Sequence, residues 1–66
     1  MQRIFLNGEA REVRASRLAE ALDELGYGGA TVATALNGSF VPAPQRAATA
    51  LSAGDRLEVV APRQGG

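Results

Sequence analysis

The chain has 66 residues, of which 45% are hydrophobic and 21% charged; seven arginines balance seven acidic residues, and lysine, cysteine and histidine are absent. A chain this short buries only about 60% of its unfolded surface and supplies one core, so we expect one folded domain. The composition argues against a membrane span, intrinsic disorder, disulfides and a Cys or His site for zinc or nucleophilic catalysis, and zero net charge gives no attraction for nucleic acid.

The chain opens with a predicted β-hairpin. An apolar run ends in Asn7-Gly8, a dipeptide that suits a tight turn because both central turn residues need positive φ. Strands are therefore expected over residues 2–6 and about 10–14, paired antiparallel. Alternation places Phe5 on the outer face of the sheet. The predicted core residues of this hairpin are Ile4, Leu6 and Val13.

One amphipathic helix is predicted over residues 17–25. Its apolar residues recur at i, i+3, i+4 and i+7, the spacing of one helical face. Ser16 is the expected N-cap residue, because its hydroxyl can accept hydrogen bonds from free backbone amides. Gly26 is expected to end the helix in the left-handed conformation. The apolar face consists of Leu18, Ala21, Leu22 and Leu25.

The second half of the chain predicts further strands. Residues 31–36 are β-branched at alternate positions and end in a second Asn-Gly, which a short strand at 39–41 follows. After two prolines, residues 47–51 are expected to form one helical turn. The pattern leaves open which side of the third strand faces the helix, that of Val32, Thr34 and Leu36 or that of Ala33 and Ala35.

The last predicted strand covers residues 56–61, where Pro62 ends the pairing. Leu57, Val59 and Ala61 share one face, and Glu58 and Val60 share the other. The resulting element order, β-β-α-β-β-β, indicates an α+β domain over residues 1–61 in which a mixed sheet curls around one helix. That arrangement is the β-grasp, or ubiquitin-like, fold.

Residues 62–66, the C-terminal tail, contain no apolar side chain that would anchor them, so we expect a projecting arm. Fully extended, five residues reach roughly 16–18 Å. Gly65 and Gly66 lack a Cβ, which suits a narrow channel in a partner and leaves the terminal carbonyl open to attack. The tail predicts that ATP activates the terminal carboxylate to an acyl-adenylate, whose acyl group then passes to a nucleophile. A sulfur donor as that nucleophile would yield a thiocarboxylate.

The order of several short motifs, together with the terminal Gly-Gly, resembles the ThiS family, the sulfur carriers of thiamine biosynthesis. The resemblance covers essentially the whole chain. The matching segments are Asn7-Gly8-Glu9, Ala35-Leu36-Asn37-Gly38, Val41-Pro42, Leu51, Gly54-Asp55-Arg56-Leu57-Glu58-Val59-Val60 and Gln64-Gly65-Gly66.

The resemblance implies a carrier without catalytic residues or a bound cofactor or metal of its own. Gly66 would be adenylated by an E1-like adenylyltransferase that uses ATP and Mg²⁺, receive sulfur from a donor system, and deliver it as a thiocarboxylate to thiazole synthase. One segment departs from the family pattern: after Val41-Pro42 the family usually has a basic and then an aromatic residue, where this chain has Ala43-Pro44-Gln45-Arg46. If that segment helps to recognise a partner, the contact between this chain and its partner differs in detail from that of the family.

Two sets of residues are candidates for contact with partners. Arg63, Gln64 and Gly65 would enter a partner's channel, and Phe5, Phe40 and Val60 would form a docking surface for the adenylating enzyme if they are exposed on the outer sheet face. The alternative for each apolar residue is an isolated exposed side chain or, for Phe40, a place in the core. With no cysteine and no signal-peptide pattern, we expect a cytoplasmic protein.

Three alternative functions remain open at this point. A molybdopterin-synthase small subunit uses the same Gly-Gly chemistry, although its chains tend to be longer. A ubiquitin-like modifier would form an amide with a target lysine, and the lack of lysine in this chain disfavours self-polymerisation. A non-catalytic β-grasp interaction module would not need its tail.

Overall fold

The computed structural model describes residues 1–61, so the expectations for the C-terminal tail lie outside the described residues. Within that range the chain forms five strands, one α-helix and one 3-10 helix. In chain order, the elements are β1 (Gln2–Leu6), β2 (Glu9–Val13), α1 (Leu18–Glu24), β3 (Ala33–Leu36), β4 (Ser39–Val41), the 3-10 helix (Ala43–Ala48) and β5 (Arg56–Val60).

The five strands form one mixed sheet in the order β2-β1-β5-β3-β4. The last strand, β5, lies in the middle, parallel to β1 and antiparallel to β3. The two hairpins, β1-β2 and β3-β4, flank it on either side. The prediction of a mixed sheet around one helix, the β-grasp arrangement, is confirmed.

Both hairpins turn at the Asn-Gly dipeptides that the sequence indicated. Asn7 and Gly8 have φ of 49° and 88°, and Asn37 and Gly38 have φ of 51° and 85°. These positive values are those of the tight turn whose twist matches that of the flanking strands. Asparagine is among the few residues other than glycine that adopt this conformation readily.

The core lies between the sheet and α1 and contains the residues that alternation and helical spacing selected. Ile4, Val13, Leu18 and Leu57 have no exposed surface. The question left open for β3 has a clear answer, because Thr34 is 1% exposed whereas Ala33 is exposed. The Thr34 hydroxyl donates a 2.9 Å hydrogen bond to the Val41 carbonyl, which satisfies its polar atom inside the core.

The N-terminus of the helix differs from the prediction. Ser16 is not the cap: the N-cap position is Arg17, it makes no side-chain capping bond, and the helix is shorter than expected at both ends. The reason is tertiary, because residues 49–51 pair with this segment. The Leu18 N–H donates to the Thr49 carbonyl at 2.8 Å, and the Leu51 N–H donates to the Ser16 carbonyl at 2.9 Å.

The same pairing corrects a second expectation. Residues 47–51 do not form a helical turn; the turn is the 3-10 helix at Ala43–Ala48, which has a proline in its first positions, and the following residues are extended. Proline favours this placement because it has no N–H to leave unpaired at a helix start. Strand boundaries also differ slightly: β2 begins one residue earlier than predicted, β3 begins at Ala33, and β5 ends at Val60, leaving Ala61 exposed.

Replacing Leu22 with alanine tests the packing of α1 on the sheet. Leu22 is 5% exposed, so Leu22→Ala should lower the free energy of unfolding by about 2–5 kcal/mol. Urea unfolding followed by circular dichroism measures this change. The control is Phe40→Ala, which removes a larger side chain that is 68% exposed and should cost much less. Equal losses for the two variants would contradict this assignment of the core.

Candidate functional site

The strand that leads to the C-terminal tail is the central strand of the sheet and is paired on both of its edges. On one side β5 pairs with β3 over four residues, and on the other it pairs with β1 at Arg56 and Leu57. Ala61 is the last described residue, so the candidate tail residues Arg63, Gln64, Gly65 and Gly66 lie outside the described residues. The structure therefore shows where the tail begins, at the end of β5, but not the tail itself.

Two asparagine side chains extend the pairing of β5 beyond the strands themselves. The Asn7 side-chain oxygen accepts from the Val59 N–H at 2.9 Å, and its amide nitrogen donates to the Val59 carbonyl at 3.1 Å. On the opposite edge, the Asn37 side-chain oxygen accepts from the Arg56 N–H at 2.9 Å. In each Asn-Gly turn, the asparagine side chain thus makes hydrogen bonds to β5 that the backbone of a neighbouring strand would otherwise make.

The outer face of the sheet, away from α1, carries the three apolar residues predicted as a docking surface. Phe40 and Val60 are 68% and 62% exposed, and Phe5 is 38% exposed. The prediction of an outer face for Phe5 and Val60 is confirmed, and Phe40 does not belong to the core. Whether a partner docks on them stays a prediction.

The register shows which of these three residues lie near one another. Phe40 is paired with Ala35, and Val60 is paired with Ala33, so the two large side chains flank a pair of alanines on β3. They lie two strand spacings apart across the sheet and two residues apart along it, which together make about 12 Å. Small side chains between them make one continuous apolar patch, which we call the outer patch: Ala33, Ala35, Phe40 and Val60.

Phe5 does not belong to the outer patch. It lies on β1 beside Arg56, and it is three strand spacings across the sheet and two residues along it from Phe40, about 16 Å in all. It faces an open groove of about 710 Å³. The groove is lined by Phe5, Gly8, Gly38, Gly54, Arg56, Leu57 and Glu58.

The segment that departs from the family pattern is fixed to the domain by an arginine. The Arg46 guanidinium donates to the Val32 carbonyl at 2.6 Å and to the Thr34 hydroxyl at 3.0 Å. It therefore connects the 3-10 helix to β3 instead of pointing freely at a partner. No local pattern indicates this structural role of Arg46, because its contacts depend on the position of the 3-10 helix.

A second structural contact was also missed at the sequence level. The Glu24 carboxylate, at the end of α1, accepts hydrogen bonds from the Arg14 N–H at 2.8 and 3.0 Å and from the Ala15 N–H at 3.0 Å. These bonds hold the loop between β2 and α1. Charge-assisted bonds of this kind are among the stronger ones in proteins.

The described residues do not bring together a constellation that would hold a metal. Among residues 1–61, no three Cys, His, Asp or Glu side chains are grouped for this purpose. In the same range, α1 and the 3-10 helix are both too short to span a bilayer. The sequence-predicted surfaces that the structure describes are the outer patch, the groove beside Phe5 and the end of β5.

Comparison with known proteins adds two findings to this geometry. The model of the ThiS family matches residues 4–66. The fold is also similar to the crystal structure of the thiamine biosynthesis protein ThiS from Geobacter metallireducens, with a TM-score of 0.82 and 28% identity over 98% of this chain and 100% of the other. A search of curated proteins found no match.

The structural role of Arg46 can be tested by removing its side chain. Arg46→Ala leaves the Val32 carbonyl without its donor, so the free energy of unfolding should fall by about 1–3 kcal/mol. Urea unfolding measures the loss. Arg11→Ala, at an exposed position on β2, is the control and should change stability by less than about 0.5 kcal/mol. A stability of Arg46→Ala equal to that of the wild type would contradict the assigned role.

Proposed function

This chain belongs to the ThiS family, and we propose that it carries sulfur in thiamine biosynthesis, with the carboxylate of Gly66 as the group that carries it. The observation that carries the proposal is the extent of the family match, which continues past β5 and includes Gln64, Gly65 and Gly66. The geometry of residues 1–61 supports it, because the central strand β5 leads directly to that tail.

The proposed chemistry begins with an unreactive group. A carboxylate is a poor electrophile, so an oxygen of the Gly66 carboxylate attacks the α-phosphorus of ATP on an E1-like adenylyltransferase, and pyrophosphate leaves. The acyl-adenylate then has AMP as a good leaving group. Sulfide attacks the acyl carbon and AMP departs, which leaves a thiocarboxylate that is anionic and nucleophilic at neutral pH. Where the donor is a persulfide, its terminal sulfur attacks to give an acyl disulfide, and a second thiol then releases the thiocarboxylate by forming a disulfide with the donor thiol.

In this scheme the chain is a protein co-substrate and its partners are the enzymes. It has no cysteine or histidine, the residues that most often serve as nucleophile and general base near neutral pH. The adenylyltransferase supplies the ATP and Mg²⁺ site, and thiazole synthase accepts the sulfur. Arg63, Gln64 and Gly65 enter the partner's channel.

The outer patch is the proposed docking surface for the adenylating enzyme. Phe40 and Val60 are mostly exposed and are joined by the alanines of β3, so the patch offers an apolar area that the exposed Glu58, the partner of Ala35, borders on β5. Its position at the end of β5 places a bound partner next to the base of the tail. Phe5, on the other side of Arg56, contributes a separate contact in the groove.

Introducing a charge into the outer patch should weaken docking. Val60→Lys should raise the Kd for the adenylyltransferase about 10-fold or more, because a lysine in an apolar contact must be desolvated. Ala47→Lys is the matched control, since it makes the same kind of change at an exposed residue of the 3-10 helix. Calorimetry measures both affinities, and circular dichroism verifies folding.

Phe5→Ala measures the contribution of the groove in the same assay and should weaken binding less than Val60→Lys. Unchanged affinity for both variants would remove the outer face from the docking interface.

Deleting Gly66 tests the reactive group. The deletion should leave folding unchanged but move the terminal carboxylate about 3.5 Å towards the domain, and a misplacement of 1 Å can cost on the order of 100-fold in rate. Full-length and truncated proteins are incubated with the adenylyltransferase, ATP and a sulfur donor. Intact mass should show sulfur replacing one oxygen in the full-length protein alone.

Deletion of Gln64 is the matched control, because it shortens the tail equally but keeps the terminal Gly-Gly. If both variants lose activation, the reaction requires the full length of the tail. If only the variant without Gly66 loses it, the reaction requires the terminal Gly-Gly sequence. Thiocarboxylate on the variant lacking Gly66 at the wild-type rate would contradict the proposal. Amide conjugates to target lysines would instead identify a modifier, and sulfur transfer to a molybdopterin precursor would identify a different acceptor.

A further inference from the structure

The end of β5 is held unequally on its two sides. Towards β3, pairing continues to the last residue of the strand, where Val60 is the partner of Ala33. Towards β1, strand pairing stops earlier, with Leu6 opposite Leu57, and the Asn7 N–H donating to the Leu57 carbonyl at 2.9 Å is the last backbone bond. Beyond that bond the hairpin turns away from β5.

The Asn7 side chain fills the position that a longer β1 would occupy. It accepts from the Val59 N–H at 2.9 Å and donates to the Val59 carbonyl at 3.1 Å, so both backbone polar groups of Val59 are satisfied. A strand neighbour would make the same two bonds. The positive φ of Asn7, 49°, turns this side chain towards β5 instead of along β1.

The contact lies close to the point where the tail begins. Val59 is followed by Val60 and Ala61, and then by the five residues that end at Gly66. The direction of β5 at this point is therefore the direction in which those residues leave the domain, and five extended residues can reach about 17 Å. A reaction that requires alignment of the reacting atoms loses rate when its group is misplaced by as little as 1 Å.

We propose that Asn7 is a positioning residue, whose side-chain amide fixes the direction in which β5 delivers the tail to the adenylating enzyme. This inference rests on the proposed function for its effect on rate, but its structural part concerns β5 alone. Asn7 touches neither ATP nor the reacting carboxylate in this scheme. It acts through the backbone of Val59.

The chain contains a matched control for this proposal. Asn37 occupies the corresponding place in the other hairpin, with φ of 51°, and its side chain accepts from the Arg56 N–H at 2.9 Å. Arg56 is the first residue of β5, four residues from Val60, or about 13 Å along the strand. Its amide nitrogen also donates to the Asp55 carboxylate at 3.1 Å, so loss of the Asn37 side chain removes two hydrogen bonds, as loss of the Asn7 side chain does, but at the end of β5 remote from the tail.

The experiment compares Asn7→Gly with Asn37→Gly. Glycine adopts positive φ readily, so each substitution keeps the turn while removing the amide. Asn7→Asp is a second variant that keeps the acceptor for the Val59 N–H and also tolerates this backbone conformation. All proteins are assayed well below their melting temperatures, so that each is folded.

The first readout is independent of any partner. In Asn7→Gly, NMR order parameters of Val59 and Val60 should fall from about 0.85 towards 0.6, while Asn37→Gly should leave them unchanged. In the wild type, the Val59 amide should exchange with solvent as slowly as other paired amides of β5. Fast exchange of this amide in the wild type, or unchanged order parameters in Asn7→Gly, would overturn the proposal.

The second readout is pyrophosphate release with the adenylyltransferase. Asn7→Gly should lower kcat about 10-fold or more with KM within about 2-fold of wild type, because orientation is lost while the outer patch is intact. Asn7→Asp should show a smaller loss, and Asn37→Gly should retain the wild-type kcat. Equal losses in the two glycine variants would indicate a general effect of stability and overturn the positioning role.

Failure of the proposed function gives a different result. In that case the wild-type protein releases no pyrophosphate with a competent enzyme, while the order parameters still decide whether Asn7 fixes the end of β5.

Discussion

The fold depends on the pairing of β5 with neighbours on both of its edges. This strand comes last in the chain among the described elements, yet it joins the two hairpins into one sheet. Without it, β1-β2 and β3-β4 would be two separate ribbons, and an isolated hairpin is at best marginally stable in water. The side chains of β5 also contribute to the core, because Leu57 is fully buried and Val59 is 6% exposed. The strand that leads to the tail is thus the strand on which the sheet is built.

The two faces of the sheet differ in role: the inner face packs the core, and the outer face is open to partners. The inner face and α1 bury the aliphatic core, and Thr34, the one buried polar side chain among residues 1–61, donates to the Val41 carbonyl and accepts from Arg46. The outer face has no helix over it among the described residues, and its side chains alternate in sequence with those of the core. Changes on the outer face can therefore alter recognition with little effect on packing. That separation matters in a domain this small, where the core supplies only a few kcal/mol of net stability.

The parts of the structure that sequence predicted are those governed by local patterns. Alternation identified Ile4 and Leu6 as core and Phe5 as outer, helical spacing identified Leu18 and Leu22, and positive-φ preference located both Asn-Gly turns. The parts that were missed depend on contacts between distant segments. Ser16 was expected to cap the helix, but the backbone of residues 49–51 satisfies that segment, and no local pattern reveals such a partner. The same reason explains why Asn7 and Arg46 were not recognised as contacts of β5 and β3. The candidate tail residues were named from composition and resemblance, which describe chemistry and not position.

The parallel pairing of β1 with β5 also determines how the domain responds to mechanical force. The chain enters the sheet at the start of β1 and leaves it at the end of β5, and the two strands run side by side in the same direction. A pull that separates the two ends of the domain therefore loads the hydrogen bonds between these strands in shear, so that they share the load. Peeling a hairpin apart would break its bonds one after another. Forced unfolding is governed by the height of the unfolding barrier and not by equilibrium stability. A force that pulls these two ends apart should therefore meet greater resistance than the small size of the domain suggests.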